Sequence, residues 1–485
     1  MQPELTVAAG PPDRSGLLPD PAWLEDRVFY QIFPDRFYNG DPANDPAPIT
    51  PWGGQPELFN FFGGDLAGIE QKIPYLNDLG INALYLNPIF DAPSNHKYDT
   101  RDYLRIAPEF GDLRTYLRLV KALRRSGIRL ILDGVFNHTG DQFWAFRDLV
   151  RRGSASPYQK WYHCQLPIIQ SPQPNYECWW GIGTLPKLNY NTPEVVSYIL
   201  RVVTFWTLTG IDGWRLDVPN EVRADFWPVF RRLVKTLNPE AYIVGEIWED
   251  ASAWLQGDKF DAVMNYPLRE LIISFFARQE MEAAVFDREL ANLRARYSGT
   301  VTRSMFNLLS SHDTPRFLTV CRGDCRRMLQ ALLFLFTYPG VPVLYYGDEI
   351  GMVGEKDPDC RRTMIWDETR WHQEIYQATK ALIRLRKTRM ALRRGEFKTA
   401  CTAGYGVYGY WRHYGRDRLL ILFNSTERMA EVAIPLPPEA RGDWRPIYPV
   451  AGEGISFHDQ FRLALPPGTG MIWEQAGQGE AGSKG

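Results

Sequence analysis

Three carboxylates, Asp217, Glu246 and Asp313, accompanied by His138, His312 and Arg215, carry the chemistry this sequence can offer. Each stands at or just past the end of a short apolar run. RLILDGVF (129–136) leads into Asn137 and His138, and GWRLDV (213–218) carries Arg215 and Asp217 with Glu221 close behind. YIVGEIW (242–248) carries Glu246 and Trp248, and SMFNLLSSHD (304–313) ends in His312 and Asp313. With no thiol nucleophile among them, the set fits glycoside chemistry. A retaining glycosidase needs one ionised carboxylate to attack the anomeric carbon. A second, protonated one about 5–5.5 Å away gives a proton to the leaving oxygen. Asp217 and Glu246 fall on successive runs, and neighbouring strands lie about 4.8 Å apart, so that separation is reachable. Arg215 stands two residues before Asp217 and projects to the same strand face. Its charge there would hold Asp217 ionised. Val244, Ile247 and Trp248 surround Glu246 with apolar groups, which would raise its pKa and keep it protonated as the acid. Any one of these residues could merely cap a helix or pair with an arginine. Their convergence on one rim is what favours function.

Such convergence needs a scaffold whose strand ends meet. Eight apolar runs alternate with helical stretches: 28–34, 83–89, 129–136, 213–218, 242–248, 262–267, 304–313 and 341–349. Near-continuous apolar strands belong in a parallel sheet covered on both faces, and eight of them with intervening helices predict a (β/α)8 TIM barrel whose active face lies at the strands' C-terminal ends. The stretch 113–127 reads as an amphipathic helix stopped by Gly127. Residues 329–346, broken by Pro339, Gly340 and Pro342, read as a buried helix, a turn and a buried strand, not a membrane span. The barrel is expected over 23–139 and 190–390, interrupted after strand three by a small excursion domain at 140–189. Short alternating strands over 391–474 predict a C-terminal antiparallel β-sandwich. The Pro- and Gly-rich segment 1–22 and the tail 475–485 are expected to be disordered.

DGVFNH, GWRLDVPNE, GEIWED and SSHDT resemble, in that order, the four signature regions of the α-amylase family of glycoside hydrolases. The resemblance implies Asp217 as nucleophile, Glu246 as acid/base and Asp313 as a third carboxylate gripping sugar hydroxyls. It implies that His138 and His312 bind the same sugar, with Arg215 orienting Asp217. In SNHKYDT, His96 and Tyr98 match first-subsite residues, Tyr98 stacking on the ring to be cut, while Asp133 and Asn137 match positions that are mainly structural or near a metal. LPKLN (185–189), GWRLDVPNE and FFGGDL are similar to the cyclomaltodextrinase, neopullulanase and maltogenic amylase branch, where Glu221 and Trp248 would line the leaving-group side. Pro315 departs from that branch, which usually has an acidic residue there. The branch also begins with a separate β-domain, whereas only some twenty residues precede Trp23 here. That difference predicts no domain-exchanged dimer and a cleft walled by the chain's own excursion, with Trp161, Tyr162, Trp179 and Trp180 as candidates.

NGDPAND (39–45) offers Asn39, Asp41, Asn44 and Asp45, with Asp65 following. Dense hard-oxygen ligands in a Gly/Pro-rich loop suit Ca²⁺, although an Asx-rich turn without metal would look the same. Similarity to a calcium loop of this branch favours the metal and adds the Gly63 carbonyl.

A net charge of −2 over 485 residues gives no long-range attraction for nucleic acid or an anionic membrane. None of the six cysteines forms a CxxC pair, so no zinc site is indicated; packed or partly exposed thiols are expected, and Cys164 and Cys178 could bridge if the protein were exported. No basic n-region precedes an apolar h-region at the N-terminus, which predicts a cytoplasmic enzyme. The expected substrates are cyclodextrins, maltooligosaccharides, pullulan or soluble starch. The alternatives are an α-glucosidase or glucanotransferase on the same scaffold, and a non-catalytic sugar-binding subunit that kept the barrel.

Overall fold

The computed structural model describes residues 21–170 and 173–476. The disorder expected at the two ends therefore falls almost wholly outside the described residues. Eight strands form one parallel sheet: β1 Phe29–Ile32, β2 Ala83–Leu86, β3 Arg129–Gly134, β4 Gly213–Leu216, β5 Tyr242–Gly245, β6 Ala262–Val263, β7 Phe306–Leu308 and β8 Val341–Tyr345. Their spatial order, β6-β5-β4-β3-β2-β1-β8-β7, is the chain order wrapped into a ring. A single parallel bridge, Met264 to Phe306, closes it. Nearly every strand residue is buried, because side chains fill the barrel inside and helices cover it outside. The TIM barrel is thus the observed architecture.

Two insertions shape the rim at the strands' C-terminal ends. After β2, the short hairpin Phe90–Asp91 with Asp102–Ile106 carries His96 and Tyr98 between its arms. After β3, residues 140–189 hold the helix Trp144–Arg152, single helical turns and isolated bridges such as Tyr162 to Leu188 and Cys164 to Tyr176. Trp161 and Tyr162 are buried there, packed with Trp144, Tyr198 and Phe146. They fill the excursion's own core, which corrects their assignment as cleft walls. Cys164 and Cys178 are free thiols.

The C-terminal region holds a six-stranded and a two-stranded antiparallel sheet. Its strand Asp417–Asn424 shows how one sequence serves two cores. Leu419, Ile421 and Phe423 join the barrel's core, while Leu420 and Leu422 join a second cluster with Trp444, Phe461 and Trp473. The two-residue period of a strand puts alternate side chains on opposite faces. The helix Cys325–Thr337 lies at the junction, where Gln330 donates to the carbonyls of Asn424 and Thr469. Among the described residues, no helix is long and apolar enough to cross a membrane.

Candidate active site

Strand register sets the centre of the site. Asp133 on β3 pairs with Arg215 on β4, so both side chains enter the barrel at one level. The fully buried Arg215 guanidinium joins three carboxylates. Its Nη1 lies 2.8 Å from Asp133 Oδ1 and 3.1 Å from Asp217 Oδ1, and its Nη2 lies 2.8 Å from Glu246 Oε2. Asp133, expected to be mainly structural or near a metal, is part of this centre. It also accepts from Tyr85 at 2.6 Å and Tyr98 at 2.9 Å.

The sharing alters the expected electrostatics. Burial pushes Asp217 well above the usual carboxylate range; Arg215 opposes this, while Glu246, Asp133 and Asp313 push the same way. Arg215 favours the ionised form of Asp217 against that burial, and its charge is shared with Asp133 and Glu246. Glu246 is pushed up to about 6, chiefly by burial and against Arg215. Its surroundings are less apolar than its sequence neighbours suggest, since it touches the guanidinium and accepts from Trp248 Nε1 at 3.3 Å.

The backbone is strained where these groups emerge. Val218, directly after Asp217, has φ +34°, Lys97 beside Tyr98 has φ +64°, and Trp180 has φ +50°. A non-glycine residue at positive φ costs on the order of 1–3 kcal/mol and persists only where surrounding structure imposes it.

The remaining expected residues surround this centre. Tyr98 stacks on His312 with ring centroids 5.5 Å apart, and its hydroxyl lies 2.7 Å from His312 Nε2. Asp313 lies 3.0 Å from His312 Nε2 and 3.1 Å from Arg361 Nη2. His96, driven down to about 3 mainly by burial, accepts the Tyr98 N–H at its Nδ1. His138 is likewise held neutral by burial, and its buried Nε2 has no partner among the described residues. Its ring lies 6.0 Å from Trp179, which stacks on Trp180 at 4.8 Å. Trp180 is 80% exposed, so this pair, unlike Trp161 and Tyr162, offers an open apolar face. Trp248 is 45% exposed and backed by Tyr266 at 3.6 Å. Glu221 is tied to Lys187 of the excursion at 3.0 Å. The sequence reading missed Arg361, Gln31, whose side chain lies 2.9 Å from His312 Nδ1, and the contact of Lys187 with Glu221. LPKLN pointed at Lys187, but nothing in sequence spacing marks the other two.

The 39–65 loop gathers oxygen donors of the kind a hard cation takes. Asn39 and Asn44 each keep a buried Oδ1 without a partner among the described residues. Asn39 Nδ2 donates to Asp45 Oδ1 at 2.8 Å, and a Cβ on Gly63 would stand 2.4 Å from that oxygen, so these groups are clustered. Asp65 is engaged otherwise. It caps the helix Leu66–Gln71 through the Gly68 N–H at 2.6 Å and accepts from Gly40, Asp41 and Asn44. Asp41 caps the turn Pro42–Asn44. Among the described residues, no three His, Cys, Asp or Glu side chains stand together as a metal site, so the donors on offer are mainly amide and carbonyl oxygens.

Residues 31–406 match the family model described as "Alpha amylase, catalytic domain". A cyclomaltodextrinase from Geobacillus thermopakistaniensis is 48% identical over 459 residues, covering 94% of this chain and 78% of that protein. Neopullulanase 2 from Thermoactinomyces vulgaris is 46% identical over 465 residues, covering 95% and 79%. Among solved structures, the cyclic α-maltosyl-(1→6)-maltose hydrolase from Arthrobacter globiformis superposes with a TM-score of 0.84 at 39% identity, covering 92% of this chain and 99% of that one.

Proposed function

The chain belongs to the α-amylase family of glycoside hydrolases, and from that premise we propose that it is a retaining hydrolase of α-glucosidic bonds in short or cyclic glucans. One observation carries this reading: Asp217 and Glu246 lie 3.1 and 2.8 Å from the two terminal nitrogens of one buried guanidinium. That proximity supports the close spacing of a retaining pair over the wider gap, about 6.5–9.5 Å, that an inverting pair leaves for water.

Asp217 attacks the anomeric carbon and Glu246 protonates the leaving oxygen. Positive charge developing on the sugar offsets the repulsion among the carboxylates, so Asp217 is most readily ionised when that charge appears. Glu246 then takes a proton from an incoming water whose oxygen attacks the anomeric carbon, breaking its bond to Asp217 and releasing that carboxylate. Asp313, His312, His138 and Tyr98 hold the sugar between them. The three carboxylates, all retained and brought to one rim, argue against a non-catalytic sugar-binding subunit.

Trp248 and the Trp179–Trp180 pair offer apolar faces to flanking sugars, which supports cyclodextrins, maltooligosaccharides and pullulan over granular starch. The half-exposed Trp248 beside Glu246 also suits an acceptor sugar, so transfer competes with hydrolysis. Chromatography of products from β-cyclodextrin, pullulan, maltotriose and soluble starch tests the reading. Attack on none of them would overturn it, and products longer than maltotriose formed from maltotriose itself would identify a glucanotransferase.

We propose that Asn39, Asn44, Asp45 and the Gly63 carbonyl hold Ca²⁺, with Asp41 and Asp65 positioning the loop. When bound, the ion would pin this loop and supply no catalytic group. Chelation should lower Tm while sparing activity at moderate temperature; a Tm indifferent to EDTA and to added Ca²⁺ would reject the site. The six free thiols support a reducing, cytoplasmic location. A cleft wall supplied by the chain's own Trp179 and Trp180 supports an active site complete without a domain-exchanged partner, which light scattering alongside activity would test.

A further inference from the structure

We infer that Gln31, the third residue of β1, is a positioning residue that fixes which nitrogen of His312 carries the proton, so that Nε2–H faces the sugar position. The inference rests on the carboxylate rim being the active site. Gln31 is fully buried, and its Nε2 lies 2.9 Å from Asn87 Oδ1 and 2.9 Å from His312 Nδ1. An amide nitrogen has two protons to give and accepts nothing. With one proton on Asn87, the other faces His312 Nδ1, which then acts as acceptor; this orientation leaves the buried Gln31 Oε1 without a partner among the described residues. A neutral imidazole that accepts at Nδ1 carries its proton on Nε2.

Other contacts agree. His312 Nε2 lies 2.7 Å from Tyr98 OH and 3.0 Å from Asp313 Oδ2, both able to accept. Asn87 Nδ2 also donates to the Tyr98 oxygen, at 3.0 Å, and Tyr98 passes its own proton to Asp133. The donors therefore all run one way, from Gln31 and Asn87 to the Asp133 carboxylate. In the opposite tautomer the Nε2 lone pair would face the Asp313 carboxylate, which is repulsive. The ring is held by the Tyr98 stack, and the His312 carbonyl accepts from Arg361 Nε at 2.8 Å. Rotation is thus restricted, and the proton's position is the freedom that remains. The groups facing the ring are Gln31, Tyr98, His96, Asp313, Arg361 and Arg215. Burial, followed by Arg361 and Arg215, keeps His312 neutral by driving its pKa well below the ordinary value.

The test is the tautomer itself. Two-bond ¹H–¹⁵N spectra of histidine-labelled protein, with His312 assigned from a His312→Asn sample, should show neutral Nε2–H in the wild type. In Gln31→Glu the new carboxylate accepts from Nδ1, so neutral His312 should switch to Nδ1–H, while its imidazolium still offers Nε2–H. Accordingly kcat/KM on maltotriose should fall about tenfold or more at pH 8 and much less at pH 5. Gln31→Met, which removes the donor without replacing it, should cost less and leave the profile's shape unchanged. A wild-type Nδ1–H signal would overturn the inference, since the Gln31 and Asn87 amides would then both be reversed. So would a Gln31→Glu enzyme with unchanged tautomer and unchanged pH profile. The wild-type spectrum decides the matter even if the variants fail to fold. It needs no substrate, so an error in the assigned reaction would show separately.

Discussion

At the residue scale, the site is a charge-sharing problem in which one guanidinium serves three acids. Asp217→Asn should lower turnover more than about a thousandfold while sugar binding, measured by calorimetry, survives. A tenth of wild-type activity remaining would sink the assignment. Glu246 must be protonated to act as the acid, so kcat/KM should fall as pH rises through about 6, where burial has moved this carboxyl, while protonation of Asp217, also raised by burial, sets the acid limb. The alkaline limb belongs to the coupled carboxylates together, not to Glu246 alone. Glu246→Gln should lose that limb when assayed on an aryl maltoside whose good leaving group needs little proton donation. The carboxylates were legible in the sequence because each follows an apolar run that could only be a barrel strand. Arg361 was not, since it reaches Asp313 from the irregular segment after β8. Neither was the division of Arg215, because a sequence shows which charges lie two residues apart but not which others a fold brings to the same guanidinium.

At the element scale, the turn after β8 buries a second ionisable group away from the site. Glu349 accepts from Tyr30 at 2.7 Å and from Tyr75, and burial pushes it up to about 7 from an ordinary 4.5. A carboxyl raised in the folded state binds its proton there more tightly than in the unfolded chain. Its contribution is therefore greatest below about pH 4.5 and declines as pH rises towards about 7. Glu349→Gln, which cannot ionise, should gain Tm relative to wild type on going from pH 5 to pH 8; a constant difference would exclude the linkage. The loop before β2 depends on a close approach instead. A Cβ on Gly68 would meet the Tyr38 carbonyl at 1.9 Å, so Gly68→Ala should shift that loop and lower Tm whether or not calcium is present. The barrel strands and the helix Leu113–Arg125 were readable from periodicity. The fate of Trp161 and Tyr162 was not, because an aromatic-rich stretch without a period does not say which rings face inward.

At the scale of the whole molecule, one face of the C-terminal sheet continues the barrel's apolar interior, while its other face has a cluster of its own. Phe423 packs on Phe276 and Phe334, and Thr337 is hydrogen-bonded to Tyr410. Phe423→Ala should cost about 3–5 kcal/mol and lower activity and ellipticity in a single thermal transition. Two separate transitions would show the units to be independent. The sequence announced strands after residue 391, but their fusion with the barrel core depends on which alternate residues face it. The barrel's own continuity is uneven. β6 is two residues long, and its junction with β7 has a single backbone bridge, in which the Asn265 N–H donates to Phe306 O at 2.9 Å, supplemented by the Asn265 side chain donating to Asn307 at 2.8 Å. Mechanically this is a split ring with a clasp. Breathing motions should begin at the clasp, so the amides of Ala262–Met264 should exchange with deuterium earlier than those of β1 or β8. Because Glu246 stands at the end of the adjacent β5, each opening would also loosen the acid's support and make the ring's weakest joint a governor of how long the catalytic pair stays in register.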